Sequence, residues 1–220
     1  MRVLRWIALL LLAVLVAVAA VLFIADTDMG HRYIADKIAA QKPKSGLRIQ
    51  IGRIDGSIYG KTVVRDLRLS DPKGQFLTSP RIDLDWHPAA WLSNTLDIDR
   101  LATDSLTLHR VPKLLPGDPN KPILPGFDIR IGELAIKQLR IAQGVAGKAR
   151  IGSAKGRADI RDGRALIDLD VDAREGDRLI LVLDAAPDQN RFDAKLRLDA
   201  PAGGVMGALI GTQRPIAARV

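Results

Sequence analysis

"LDIDRLATDSLTLHR" occupies residues 96–110, and "IRIGELAIKQLRIAQ" follows at residues 129–143. The two stretches write the same pattern. Leu96, Ile98, Leu101, Leu106 and Leu108 match Ile129, Ile131, Leu134, Leu139 and Ile141 at a constant offset of 33 residues. The dominant period within each copy is two, which marks a half-buried strand. Leu101 breaks the parity, because it lies an odd number of residues from both Ile98 and Leu106. Strict alternation cannot bring all five onto one face, so a bulge or corner is expected near Asp99–Arg100. A repeated strand unit buries its apolar face only against its neighbours, and this predicts an extended array.

The same text continues on both sides of the repeat. "LRIQIGRIDGSIYG", residues 47–60, supplies part of a third copy through Ile49, Ile51 and Ile54. Gly52, Gly56 and Gly60 interrupt it and are expected to permit bends or bulges that curl the sheet. "RIDLDW" sets Ile82, Leu84 and Trp86 against Asp83 and Asp85. "ALIDLDVDA" sets Ile167, Leu169 and Val171 against Asp168, Asp170 and Asp172, and "RFDAKLRLDA" repeats the alternation from Phe192 to Leu198. Such strands keep one face in water, which favours an antiparallel-type sheet over a doubly covered parallel one. Between the two copies lies "VPKLLPGDPNKPILPG", residues 111–126, with five prolines. Proline cannot donate to a ladder, so this is a loop or crossing segment with polyproline character.

The N-terminus is different in kind. Arg2 and Arg5 precede twenty uncharged residues, 6–25. A helix of that length spans roughly 30 Å, the thickness of a bilayer core. The arginines favour a cytoplasmic N-terminus, which places the body across the membrane. The run is longer than the apolar region of a cleaved signal peptide, so an anchor is the preferred reading; Ala17–Ala19 is the site a cleavage would use. Residues 26–45 read as a short amphipathic helix and linker. Thr27 or Asp28 is the expected N-cap, Met29, Tyr33, Ile34 and Ile38 form its apolar stripe, and Pro43 stops it. His31 is expected at the surface of this helix. Residues 46–220 form the repeated β-structure. The expected fold is therefore mainly β: a transmembrane helix, a short helix, then an elongated curled sheet.

Composition narrows the chemistry. The chain has no cysteine, which excludes disulfides, thiolate metal sites and a cysteine nucleophile. Its net charge is +8, but Lys and Arg are scattered among Asp, without the basic run or aromatic platform of a nucleic-acid footprint. That balance suits a solvated surface or an anionic membrane. His31, His87 and His109 lie far apart in sequence. The "DLDVD" run lacks the glycine that a calcium loop uses to turn its carbonyls inward. No basic residue and hydroxyl follow Gly52, Gly56 and Gly60 at phosphate-loop spacing. Nothing here supports an enzyme, a cofactor or a metal.

In order and spacing, "G-x-I-x-G" (Gly52 to Gly56), "D-L-R-L-S-D" (Asp66 to Asp71), "W-H-P" (Trp86 to Pro88) and "L-P-G-F-D-I-R-I-G-E-L" (Leu124 to Leu134) resemble the N-terminal portion of the TamB family. These proteins are inner-membrane subunits of the translocation and assembly module, within the AsmA-like group. The resemblance extends across nearly all of the chain. It implies a single-pass inner-membrane protein whose periplasmic body is a curled β-sheet, a β-taco with a hydrophobic groove. It implies a role in outer-membrane biogenesis: assembly of outer-membrane proteins and autotransporters, and phospholipid transport. The implied lining of that groove is Ile49, Ile51, Ile54, Ile82, Leu84, Trp86, Leu96, Ile98, Leu106, Leu108, Ile129, Ile131, Leu139 and Ile141. The implied partners are phospholipid acyl chains and TamA, an outer-membrane barrel protein bound through a C-terminal region. Family members are far longer, so the chain is expected to be a fragment, and TamA binding is carried onto no residue here. The alternative from another class is a membrane-anchored scaffold with a closed β core that docks a partner.

Overall fold

The computed structural model describes residues 16, 20–115, 124–146, 148–173, 177–200 and 216–219. The expected anchor falls largely outside these residues, on positions 1–15 and 17–19. Among the described residues no helix is long and apolar enough to cross a membrane.

The body is mainly β. A helix, α1 (Asp28–Ala40), leads into β1 (Arg48–Gln50), β2 (Arg53–Gly56), β3 (Lys61–Asp71) and β4 (Gly74–Trp86). A 3-10 segment, Pro88–Ser93, joins β4 to β5 (Thr95–Thr103), which is followed by β6 (Leu106–Leu108) and β7 (Asp128–Ile141). One helical turn, α2 (Gln143–Ala146), precedes β8 (Arg150–Arg161), β9 (Arg164–Asp172) and β10 (Arg178–Ala186). A second 3-10 turn, Pro187–Gln189, precedes β11 (Arg191–Ala200) and β12 (Ile216–Arg219). All twelve strands join one sheet in the order β1-β3-β4-β5-β7-β8-β9-β10-β11-β12. β2 continues β1 along β3, and β6 continues β5 between β4 and β7.

The pairing is antiparallel except at one place, where β5 and β6 run parallel to β7. There Leu96 faces Ile129, Ile98 faces Ile131, Leu101 faces Leu134, Leu106 faces Leu139 and Leu108 faces Ile141. The offset of 33 residues is thus the register itself: the two copies of the repeat lie side by side.

The expected corner is a bulge. Asp85 pairs Arg100 and Trp86 pairs Ile98, which leaves Asp99 as the extra residue. The ladder between β7 and β8 shifts at the matching point, between Ile131 and Leu134. One unpaired residue restores the face of Leu101 and Leu134.

A second line of interruptions crosses the neighbouring strands. Gly52 separates β1 from β2 and donates to the Arg65 carbonyl at 3.0 Å. Asp66, in the middle of β3, has φ +52°. The flanking pairs Arg65–Arg81 and Leu67–Ser79 place Pro80 opposite it. Asp104 and Ser105 divide β5 from β6, and the β7–β8 register shifts again between Ile136 and Leu139. A proline in an inner strand is tolerated where the ladder is already broken. The break is tied by hydroxyls. Ser79, 1% exposed, bonds the Thr103 hydroxyl and the Ser105 carbonyl, both at 3.0 Å.

Helix α1 packs on β1 and β2. Thr27 is its N-cap, accepting from the Gly30 N–H. Its inward face keeps half of the expected stripe, Ile34 and Ile38, which are half-buried. His31 and Ala35 are buried, whereas Met29 and Tyr33 are 76% and 62% exposed. The surface position expected for His31 is therefore corrected. Its imidazole sits 3.1 Å from the Ile54 carbonyl and 3.3 Å from Asp26, and these bonds draw it inward.

Candidate functional site

Residues directly opposite across a ladder share a face. Following the pairs gives unbroken aliphatic rows. One runs Leu84, Leu101, Leu134, Gly156, Leu169, Leu181 and Leu196. The next runs Trp86, Ile98, Ile131, Ala158, Ile167, Leu183 and Ala194. At one end of the strands lies Leu96, Ile129 and Ile160; towards the other end lie Ile49, Leu69, Leu77, Leu108 and Ile141. Val64 carries the face from Ile82 to Ile54. Seven strands at ~4.8 Å spacing make such a row roughly 29 Å long.

Eleven of the fourteen residues expected to line a groove stand in these rows, Leu106 pairs with Leu139, and Ile51 lies between β1 and β2 outside the ladders. Ile54, Ile98 and Ile141 are buried; the others, Ile49, Ile51, Ile82, Leu84, Trp86, Leu96, Leu106, Leu108, Ile129, Ile131 and Leu139, are half-buried. Among the described residues, α1 packs on the β1–β2 edge, and Val145 of α2 and Ala173 pack against Ile141. Among the described residues, the buried indole N–H of Trp86 has no hydrogen-bond partner. The glycines differ among themselves. Gly56 needs its φ of +80°, and a Cβ on Gly52 would stand 2.8 Å from that of Asp66. Gly60 has open space around it.

Several members of the face were not legible as such. Leu67 and Leu69 lie at odd spacing from Val64 across Asp66, whose φ is positive, and Leu77 lies at odd spacing from Ile82 across Pro80. β10, "RLILVLDAA", has apolar residues on both faces, so its alternation is hidden.

The opposite face is charged and largely self-paired. Arg130 bonds Asp97 and Asp99, Arg164 bonds Asp184, and Arg178 bonds Asp170. Arg157 pairs with Asp168, so two carboxylates of the "DLDVD" run are neutralised by arginine. The Arg178 guanidinium holds the Asp170 carboxyl below its usual range. His87, Asp97 and Asp99 converge within 4.8 Å, but Arg130 already occupies the two carboxylates. That arrangement suits a structural ion cluster rather than a cation site. A recess of about 560 Å³ also opens on this face, floored by Gly132, Leu166 and Val182 and walled by Arg130, Arg157 and Lys195. Its lining also includes Ile131, Ala158 and Leu183 of the second aliphatic row.

One further ion pair fixes the fold. The side chain of Asp71 is fully buried and accepts from Arg110, from the Lys73 N–H at 2.7 Å and from the Lys113 N–H. Arg110, with those two N–H groups, holds its carboxyl far below the usual range against the cost of burial. The pair ties the β3–β4 turn to the segment leaving β6.

Comparison of the chain with protein-family models, with curated proteins and with solved structures gave no match.

Proposed function

We propose that this chain is an inner-membrane-anchored periplasmic component of outer-membrane biogenesis, of the kind the TamB family provides, and that its curled sheet offers acyl chains a hydrophobic groove. The observation that carries the reading is the continuous aliphatic face, most of which stays half-exposed. A sheet face of this character is stable only when something covers it. Each acyl methylene buried contributes about 0.8 kcal/mol, so a chain of ~16 carbons has a driving force of order 10 kcal/mol before ordering costs. Aliphatic walls hold such a chain without fixing its position, which suits passage along the face. The bulges at Asp99 and at Gly132–Glu133 increase local twist, the device by which a sheet bends around its contents. No catalytic group is needed for this task.

The test is site-specific photo-crosslinking in the membrane-bound chain. A photoreactive residue at Leu84, Leu108 or Ile131 traps phospholipid; one at Asp83 or Arg130 does not. Adducts confined to the charged positions would sink the groove and leave the closed scaffold.

A further inference from the structure

The apolar run of residues 6–25 ends where it is fastened to the sheet. The Tyr59 hydroxyl donates to the Leu22 carbonyl at 2.7 Å, and Asp26 accepts from the Ile58 N–H at 2.7 Å. Both partners sit in the turn between β2 and β3. That turn marks one end of the strands. Lys61 faces Asp85 across the β3–β4 ladder, so the 3-10 segment after β4 lies at the same end. At its tip Leu92 is 93% exposed and Trp91 is 54% exposed, with the Trp91 ring edge-on to Phe127 at 5.3 Å. The far end of the same hairpin is unlike this. Its turn reads Pro72-Lys73-Gly74 and carries no aromatic.

We propose that this end of the sheet rests in the headgroup layer of the bilayer, with Trp91 and Leu92 inserted as a second, non-covalent contact beside the N-terminal segment. The occupant is chosen by position and chemistry together. The apolar run leaves the sheet at this end, so a bilayer holding that run lies next to these side chains. Tryptophan and tyrosine, with an apolar body and one polar handle, are the residues that settle at the interface. The consequence is orientation: the strands rise from the membrane, and the β3–β4 turn stands off by the length of β4, 13 residues or roughly 40 Å. This rests on residues 1–25 acting as the anchor.

The chain has no cysteine, so single labels are unambiguous. The full chain is reconstituted in phosphatidylethanolamine–phosphatidylglycerol vesicles as Leu92→Cys or Lys73→Cys, each carrying an environment-sensitive fluorophore. The label at position 92 is expected to be blue-shifted and quenched by lipid-borne nitroxide, and the label at 73 to report water. Carbonate washing of the same vesicles separates the two ideas. Retention of the chain with position 92 as wet as position 73 overturns the tip contact and leaves the anchor standing. Release of the chain by carbonate overturns the anchor and the tip contact with it.

Discussion

Arg110 closes on the buried carboxylate of Asp71, 39 residues earlier in the chain, and so holds the exit of β6 against the β3–β4 turn. Replacing Asp71 with Asn removes the charge that Arg110 and two backbone N–H groups converge on. The variant is expected to melt at a lower temperature than the parent at pH 7. The folded-state carboxyl titrates below its unfolded value, so its contribution is complete above about pH 4 and is lost as pH falls further. The gap between parent and variant should therefore shrink below pH 4, which circular-dichroism melts across pH will read.

Gly132 lies beside the Asp99 bulge in the parallel pair. A Cβ there would stand 2.8 Å from the Asp99 carbonyl oxygen. Gly132→Ala is expected to destabilise by about 1–3 kcal/mol, because backbone has to move. Gly60→Ala meets no atom within 4 Å and is expected to be neutral or stabilising by about 0.4–1 kcal/mol. Denaturant unfolding of the two variants side by side checks the contrast.

Ser79 ties the broken ladder through bonds to Arg81, Thr103 and Ser105. Ser79→Ala is expected to cost about 1–2 kcal/mol, since the Ser105 carbonyl keeps its bond from Thr103. Ser79→Val should cost more by adding volume to a site that is 1% exposed. Thermal unfolding ranks them.

Leu84 begins the first of the aliphatic rows and is half-buried. Leu84→Glu is expected to keep the circular-dichroism spectrum and the membrane association of the parent while losing phospholipid adducts at Ile131. Loss of the β spectrum instead would assign Leu84 to a closed core.

The rows show what sequence periodicity can and cannot reveal. Leu96 to Leu108 and Ile129 to Ile141 were readable because both copies keep one wet face, and the odd spacing of Leu101 located the bulge. The partner of each copy was less legible. Alternation favoured antiparallel neighbours, whereas these two strands are parallel, a relationship written in the constant offset of 33 residues. β3 was obscured by the positive φ of Asp66, a backbone feature that its exposed side chain does not reveal. The helix face was only half read, because His31 turns inward through hydrogen bonds to Ile54 and Asp26, a tertiary effect absent from local spacing. The charged recess was not anticipated. It depends on which charged residues stand together across five strands.

The parallel pair also sets a measured distance. The chain leaves β6 beside the end of β7 and re-enters at the start of β7, so the intervening residues must return across 14 residues of strand, roughly 45 Å. Nineteen residues, 109–127, connect the two strands and include five prolines; a chain of that length reaches about 60 Å at polyproline rise. That exceeds the distance to be crossed by only about five residues' rise. Removing six of its residues would leave it short, and the second copy would have to slip along its neighbour or leave it.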